Sequence, residues 1–156
     1  MLETKTTPDQ DVIVSEIDIL APPERVFKAI SDAQDIRRRS PQLSVYEMDV
    51  RVGGRWRLEI PMPNPHHGVE VIRHEGEILE VEPPRLLVYT WNANFHKNPQ
   101  GKSIVRWELT PTQSGTHLKV THSDLRPEPE AARDYAAGWP GVLEEIKNSV
   151  ESGEKR

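Results

Sequence analysis

Apolar and polar residues alternate from the start of the chain. Ile13, Ile17 and Ile19 share a parity within a β-branched stretch, 12–20, which predicts a strand with one buried face. Ala21-Pro22-Pro23 ends that pattern, and a proline in the first turn suits helix initiation, so residues 23–31 read as a short helix burying Val26, Phe27 and Ile30. Residues 32–39 read as a second short helix stopped by Pro41. Period two then returns: Tyr46, Met48 and Val50 on one side of Gly53-Gly54, and Trp56, Leu58 and Ile60 on the other, make a hairpin. Residues 61–68, with three prolines and two histidines, read as a long loop. A fourth strand covers 69–81, with a bulge expected at Gly76 because the apolar parity changes between Ile72 and Leu79. Residues 86–91 are apolar on both parities, which predicts a strand covered on both faces.

A second loop over 92–102 leads to two cleanly alternating strands, one burying Val105, Trp107 and Leu109, the other Leu118 and Val120. Tyr135, Trp139, Val142, Leu143, Ile146 and Val150 then recur at helical spacing over 130–151. Gly138, Pro140 and Gly141 fall inside that helix, so a kink or a late start is expected there. The order is one strand, two short helices, six strands and one long helix: an α+β domain.

Composition narrows the chemistry. A chain of 156 residues can bury a core without disulfides or metals. It has no cysteine, which removes thiolate nucleophiles and cysteine-ligated metals. Twenty basic against 25 acidic residues leave a net charge of -5, which disfavours nucleic acid as a partner. There is no apolar run of membrane-spanning length and no apolar leader at the N-terminus, so no membrane association and a cytoplasmic location are expected.

Several segments in this order carry a resemblance: Ala21-Pro22-Pro23-Glu24-Arg25-Val26-Phe27, Val52-Gly53-Gly54-Arg55-Trp56, Gly76-Glu77-Ile78-Leu79-Glu80-Val81 running into Pro83-Pro84-Arg85-Leu86, Tyr89-Thr90-Trp91, Thr121-His122-Ser123 and Gly138-Trp139. Together they resemble the helix-grip fold of the START-like (SRPBCC) superfamily, in the branch named after the activator of the heat-shock-protein-90 ATPase. The resemblance implies a curved seven-stranded antiparallel sheet wrapped around the long C-terminal helix, with a cavity for hydrophobic molecules between them. It gives one START-like domain over 12–151, with flexible termini at 1–11 and 152–156. Relatives commonly carry a Trp pair after the second short helix, where this chain reads Ile36-Arg37-Arg38-Arg39-Ser40-Pro41, which implies a cationic pocket mouth.

The candidate ligand-binding residues are Tyr89, Trp91, Trp107, His122, Tyr135 and Trp139. Indole rings supply rigid apolar walls with one donor each, and tyrosines add polar handles, among them Tyr46. Trp56 is read as packing. His122 shares the buried parity of Leu118 and Val120; it is either a hydrogen-bonded core histidine or a group that orients a ligand or takes a proton. His74 is a weaker case of the same kind. Adjacent His66 and His67 lack a third ligand, so no metal is expected, and no cofactor motif occurs. Glu70, Glu75, Glu77, Glu80 and Glu82 read as a solvated strand face, and no carboxylate pair at catalytic spacing stands out. Arg37, Arg38 and Arg39 are an exposed helix face, or arginines that capture a carboxylate or phosphate.

The leading expectation is binding of a small hydrophobic molecule, with the two loops gating access. Two alternatives stay open: an enzyme of cyclase or hydrolase type using His122 and a tyrosine, and a chaperone-associated stress-response module acting by surface contact.

Overall fold

The computed structural model describes residues 2–8, 11–66, 69–98 and 101–154. The elements are β1 (Glu3–Thr6), β2 (Ile13–Ile19), α1 (Pro23–Ser31), α2 (Ala33–Arg39), β3 (Val45–Met48), β4 (Arg55–His66), β5 (Val69–Glu82), β6 (Leu86–Ala93), β7 (Ser103–Pro111), β8 (Thr116–Ser123) and α3 (Pro129–Glu154). The strands form one antiparallel sheet in the order β1-β2-β8-β7-β6-β5-β4-β3. The sheet curves around α3 in a helix grip. No helix among the described residues is long and apolar enough to cross a membrane.

Local chemistry explains the helices after β2. Pro23 occupies the first turn of α1, where its missing N–H is no loss, and Val26, Phe27, Ala29 and Ile30 face the core. Asp32 ends α1 and caps α2, accepting from the Asp35 N–H at 3.0 Å. The buried Asp35 carboxylate in turn takes Arg25 at 3.0 Å and Arg38 at 3.4 Å, tying the two helices together.

Four features differ from the sequence expectation. An eighth strand, β1, pairs with β2 from Glu3↔Glu16 to Thr6↔Ile13, inside a segment expected to be flexible. Its sequence, Glu-Thr-Lys-Thr, has no apolar alternation; backbone pairing and a 2.7 Å Thr4–Ser15 hydroxyl bond hold it. The proline-rich segment is strand to His66, not a loop from residue 61. The Glu59 carbonyl accepts from Ser44, so Pro61, two residues on, points its missing N–H the same way, past the end of β3. The register slips between Pro61 and His66, where Pro63 and Pro65 fall. The side chain of His66 and the whole of His67 lie outside the described residues.

The bulge of β5 falls between Ile78 and Glu80, not at Gly76. Gly76 is needed for another reason: a Cβ there would collide with the Thr90 carbonyl of β6. Finally, the late start does not occur: α3 begins before Gly138 and runs through Pro140. Tyr135 and Trp139 on one side, and Leu143, Ile146 and Val150 on the other, are buried in the core and hold both halves in register.

Candidate ligand cavity

A cavity of about 410 Å3 lies between the concave face of the sheet and α3, with α2 and β3 along its open side. Small-molecule sites span roughly 300–1,000 Å3. The sheet lends Trp56, His74, Tyr89, Trp91 and Trp107 to its wall, and α3 lends Tyr135, Trp139 and Val142. Gly138 and Gly141 also line it, and a Cβ on either would meet nothing within 4 Å. These two glycines therefore hold open space that any side chain would fill. Gln42, Asp134 and Glu145 stand at the solvent rim.

The wall is a continuous aromatic array. Trp56 lies 4.9 Å from Tyr89 and 5.0 Å from Trp91, ring centre to ring centre. Trp139 lies 5.6 Å from Trp91 and 5.5 Å from Trp107. The Trp56 indole reaches past Gly76 to donate to the Thr90 carbonyl at 2.8 Å, and Trp107 donates to the Tyr89 hydroxyl at 2.9 Å. The Trp91 N–H is buried with no hydrogen-bond partner among the described residues. Burial raises the Tyr135 pKa, and the nearby Trp91 N–H draws it partly back down.

Behind this wall a closed hydrogen-bond chain fixes His122. The ring is fully buried, and its Nδ1 faces the Trp139 N–H at 3.2 Å while its Nε2 meets the Ser103 hydroxyl at 2.8 Å. An indole nitrogen can only donate, so Nδ1 accepts and Nε2 carries the hydrogen. Ser103 accepts that hydrogen and passes its own to the Trp91 carbonyl at 2.8 Å. Every group in the chain is used. Burial, reinforced by nearby His74 and His96, holds the His122 pKa well below 6.5. With both nitrogens engaged and the ring off the cavity surface, His122 has no lone pair to offer a substrate proton.

A second set is less complete. The His96 Nδ1 sits 3.1 Å from the Asn92 side-chain oxygen and therefore carries the hydrogen, so its Nε2 accepts from the Tyr135 hydroxyl at 2.7 Å. Tyr135 then accepts a long contact, 3.4 Å, from the Nε2 of His74. The Nδ1 of His74 is left buried and unpartnered. Burial first, then His96, pulls the His74 pKa down to about 3.

At the α2 end the character changes. Of the three consecutive arginines, Arg37 and Arg38 are exposed, and only Arg39 reaches the cavity, where it is half-buried and donates to the Ala29 carbonyl at 2.6 Å. Tyr46 lines the same end.

Of the six candidates from sequence, Tyr89, Trp91, Trp107, Tyr135 and Trp139 meet at the cavity, and His122 stands behind it. Trp56 lines the cavity as well as packing. Sequence reasoning missed His96 and Ser103, and did not separate Arg39 from its neighbours. Nor do Lys97 and Asn98 hang free: their N–H groups both donate to the buried Glu128 carboxylate, at 2.7 and 2.8 Å, just before α3.

Solved structures share this architecture. A protein from Mesorhizobium loti is 30% identical with a TM-score of 0.72, covering 90% of this chain and 97% of its own. One from Chromobacterium violaceum is 23% identical with a TM-score of 0.72 over 90% of this chain and 98% of its own. One from Rhodobacter sphaeroides is 17% identical with a TM-score of 0.75 over 99% and 98%. A comparison with curated proteins finds no match. The fold, the START-like arrangement of sheet and terminal helix, and a family match spanning residues 20–151 agree: the chain belongs to the family described as Activator of Hsp90 ATPase homolog 1-like protein.

Proposed function

We propose that this protein binds a small hydrophobic molecule in the cavity between the sheet and α3. The observation that carries the reading is the cavity itself, about 410 Å3 walled by all four tryptophans of the chain. Apolar walls with a few buried polar groups are the usual makeup of a small-molecule site. The aromatic array is held rigidly by its own hydrogen bonds, so binding needs little ordering of side chains, which favours affinity. Among the occupants the fold could take, the contacts would be made by Trp56, Tyr89, Trp91, Trp107, Tyr135 and Trp139.

The test uses the intact protein. Native mass spectrometry on freshly purified material, with extraction of any bound compound, should find a stoichiometric apolar molecule. Tryptophan fluorescence then titrates candidates, since every indole reports on the site. A ligand at about one hundred times its Kd should also raise stability by about 2.7 kcal/mol. An empty protein whose tryptophans respond to no member of a broad lipid and aromatic panel would overturn the reading.

A further inference from the structure

We propose that the occupant of the cavity carries a carboxylate, held at the α2 end by the Arg39 guanidinium and the hydroxyls of Tyr46 and Tyr89, with its apolar body against the tryptophans. The inference rests on the ligand-binding reading above and names the class of molecule that fills the site.

A donor inventory leads there. Arg39 has five N–H groups and no acceptor capacity, and the structure gives it one bond, to the Ala29 carbonyl. Among the described residues it has no ion pair, because Asp35 is taken by Arg25 and Arg38. Tyr46 lines the cavity and is 8% exposed, yet its hydroxyl has no hydrogen bond among the described residues. Tyr89 accepts from Trp107, and its own hydroxyl hydrogen has no acceptor among the described residues. Three donor groups thus line one cavity with hydrogen-bonding capacity unfilled among the described residues; the negative charges acting on Arg39 are Asp35, already paired with Arg25 and Arg38, and the exposed Glu145 at the rim.

Electrostatics places the three near one another. Burial lowers the Arg39 pKa, while Asp35 first, then Tyr46 and Glu145, act to raise it. Burial raises the pKa of both tyrosines, and Arg39 opposes that rise in each. A half-buried cation and buried hydroxyls are costly where their donors go unmet. A carboxylate answers all three: one negative charge, and about four lone-pair sites on two oxygens. A neutral amide or alcohol would leave the cation unpaired. A phosphate would bring up to two charges against one arginine, and the exposed Asp134 and Glu145 at the rim would repel the surplus.

The test compares matched probes on the full chain by tryptophan fluorescence and calorimetry: 1-naphthaleneacetate against 1-naphthaleneacetamide, and dodecanoate against dodecanol and dodecyl phosphate. The carboxylate should bind at least tenfold tighter than its neutral partner. Arg39→Met should abolish that preference while leaving the neutral partner's affinity within about twofold, and Arg39→Lys should restore part of it. Tyr46→Phe should weaken the carboxylate alone, about three- to tenfold. Equal binding of acid and neutral partner, or a dodecyl phosphate tighter than dodecanoate by tenfold, overturns the carboxylate inference and leaves the ligand-binding reading standing. Binding of none of the five probes counts against both. If Arg39→Met fails to fold, the wild-type acid-to-neutral ratio and Tyr46→Phe decide the matter.

Discussion

Acidification reaches the buried imidazoles directly, and its effect can be worked from the structure. His74 has a folded pKa of about 3 and His122 one well below 6.5, both because burial disfavours the charged ring. In the unfolded chain each returns to about 6.5. The neutral form is favoured in the folded state, so the contribution is fully present above the unfolded value and is lost as pH falls below it. At pH 5 His74 subtracts about 2 kcal/mol, and His122 acts in the same direction. That is a large share of the roughly 5–15 kcal/mol that stabilises a domain.

No ion pair among the described residues offsets the loss. The groups against His74 are His96, Tyr135, Trp91 and Phe95, and those against His122 are Ser103, Trp139, Trp91 and Tyr135. Urea denaturation followed by tryptophan fluorescence at about pH 7.5, 6.5, 5.5 and 5 measures the effect. His74→Gln should lower stability at pH 7.5 and flatten the acid slope by about 2 kcal/mol between pH 6.5 and 5. A wild-type stability that changes by less than about 1 kcal/mol across this range, or a variant that keeps the full slope, would refute the reasoning.

Other perturbations have equally definite outcomes. Gly138→Ala and Gly141→Ala place a methyl in open space on a helix and should each stabilise by about 0.5–1 kcal/mol in thermal or urea unfolding. Gly141→Leu should fold normally and block binding, because its side chain occupies the cavity; undiminished affinity would remove the site from this end of α3. Hydrogen bonds that His117 donates to Glu16 and then to Asp18 raise its pKa, so its ion pairing is fully present below about pH 6.5 and fades as pH rises through the raised value. His117→Gln should therefore cost about 0.5 kcal/mol at pH 6, after allowing for solvent screening, and less at pH 9. Glu128→Gln removes one of two acceptors that pin the 94–102 connection and should cost about 1–3 kcal/mol, with faster hydrogen exchange at the Lys97 and Asn98 amides. Gly76→Ala should cost about 3 kcal/mol or more, because the backbone of β6 must move aside.

Most of the fold is legible in the sequence because most of it is periodic. In β7 and β8 strict alternation of buried and half-buried residues runs along nearly the whole strand, and the register of Trp107 opposite Val120 follows from it. The features not legible have no period to show. β1 is polar on both faces. In β4 the prolines read as a loop because only the end of β3 at Ser44 makes their missing N–H groups harmless. The apolar double parity of β6 does mark coverage on both faces: outside Val88, the side chains of Glu80 and Arg106 reach to 3.9 Å of each other across the strand. His96 lies in an irregular connection, where no rule of spacing says which way a side chain points. Arg39 did carry a signal. It falls three residues after the buried Ile36, on the same helical face, whereas Arg37 and Arg38 do not.

The polar groups around the cavity divide by whether folding alone explains them. The chain from Trp139 through His122 and Ser103 to the Trp91 carbonyl uses every donor and acceptor it contains, and such a network specifies a packing arrangement without a ligand. Arg39, Tyr46, Tyr89, the Trp91 N–H and the Nδ1 of His74 are different: each is left with capacity the protein does not fill. An unmet buried group, as the Trp91 N–H and the His74 Nδ1 are, costs about 1–3 kcal/mol, and Phe or Leu at these two positions would avoid that cost. Hydrogen bonding within the fold therefore gives no reason for those two. The carboxylate-bearing occupant proposed above would meet the donors of Arg39, Tyr46 and Tyr89, whereas the Nδ1 of His74, an acceptor in this tautomer, calls for a donor instead.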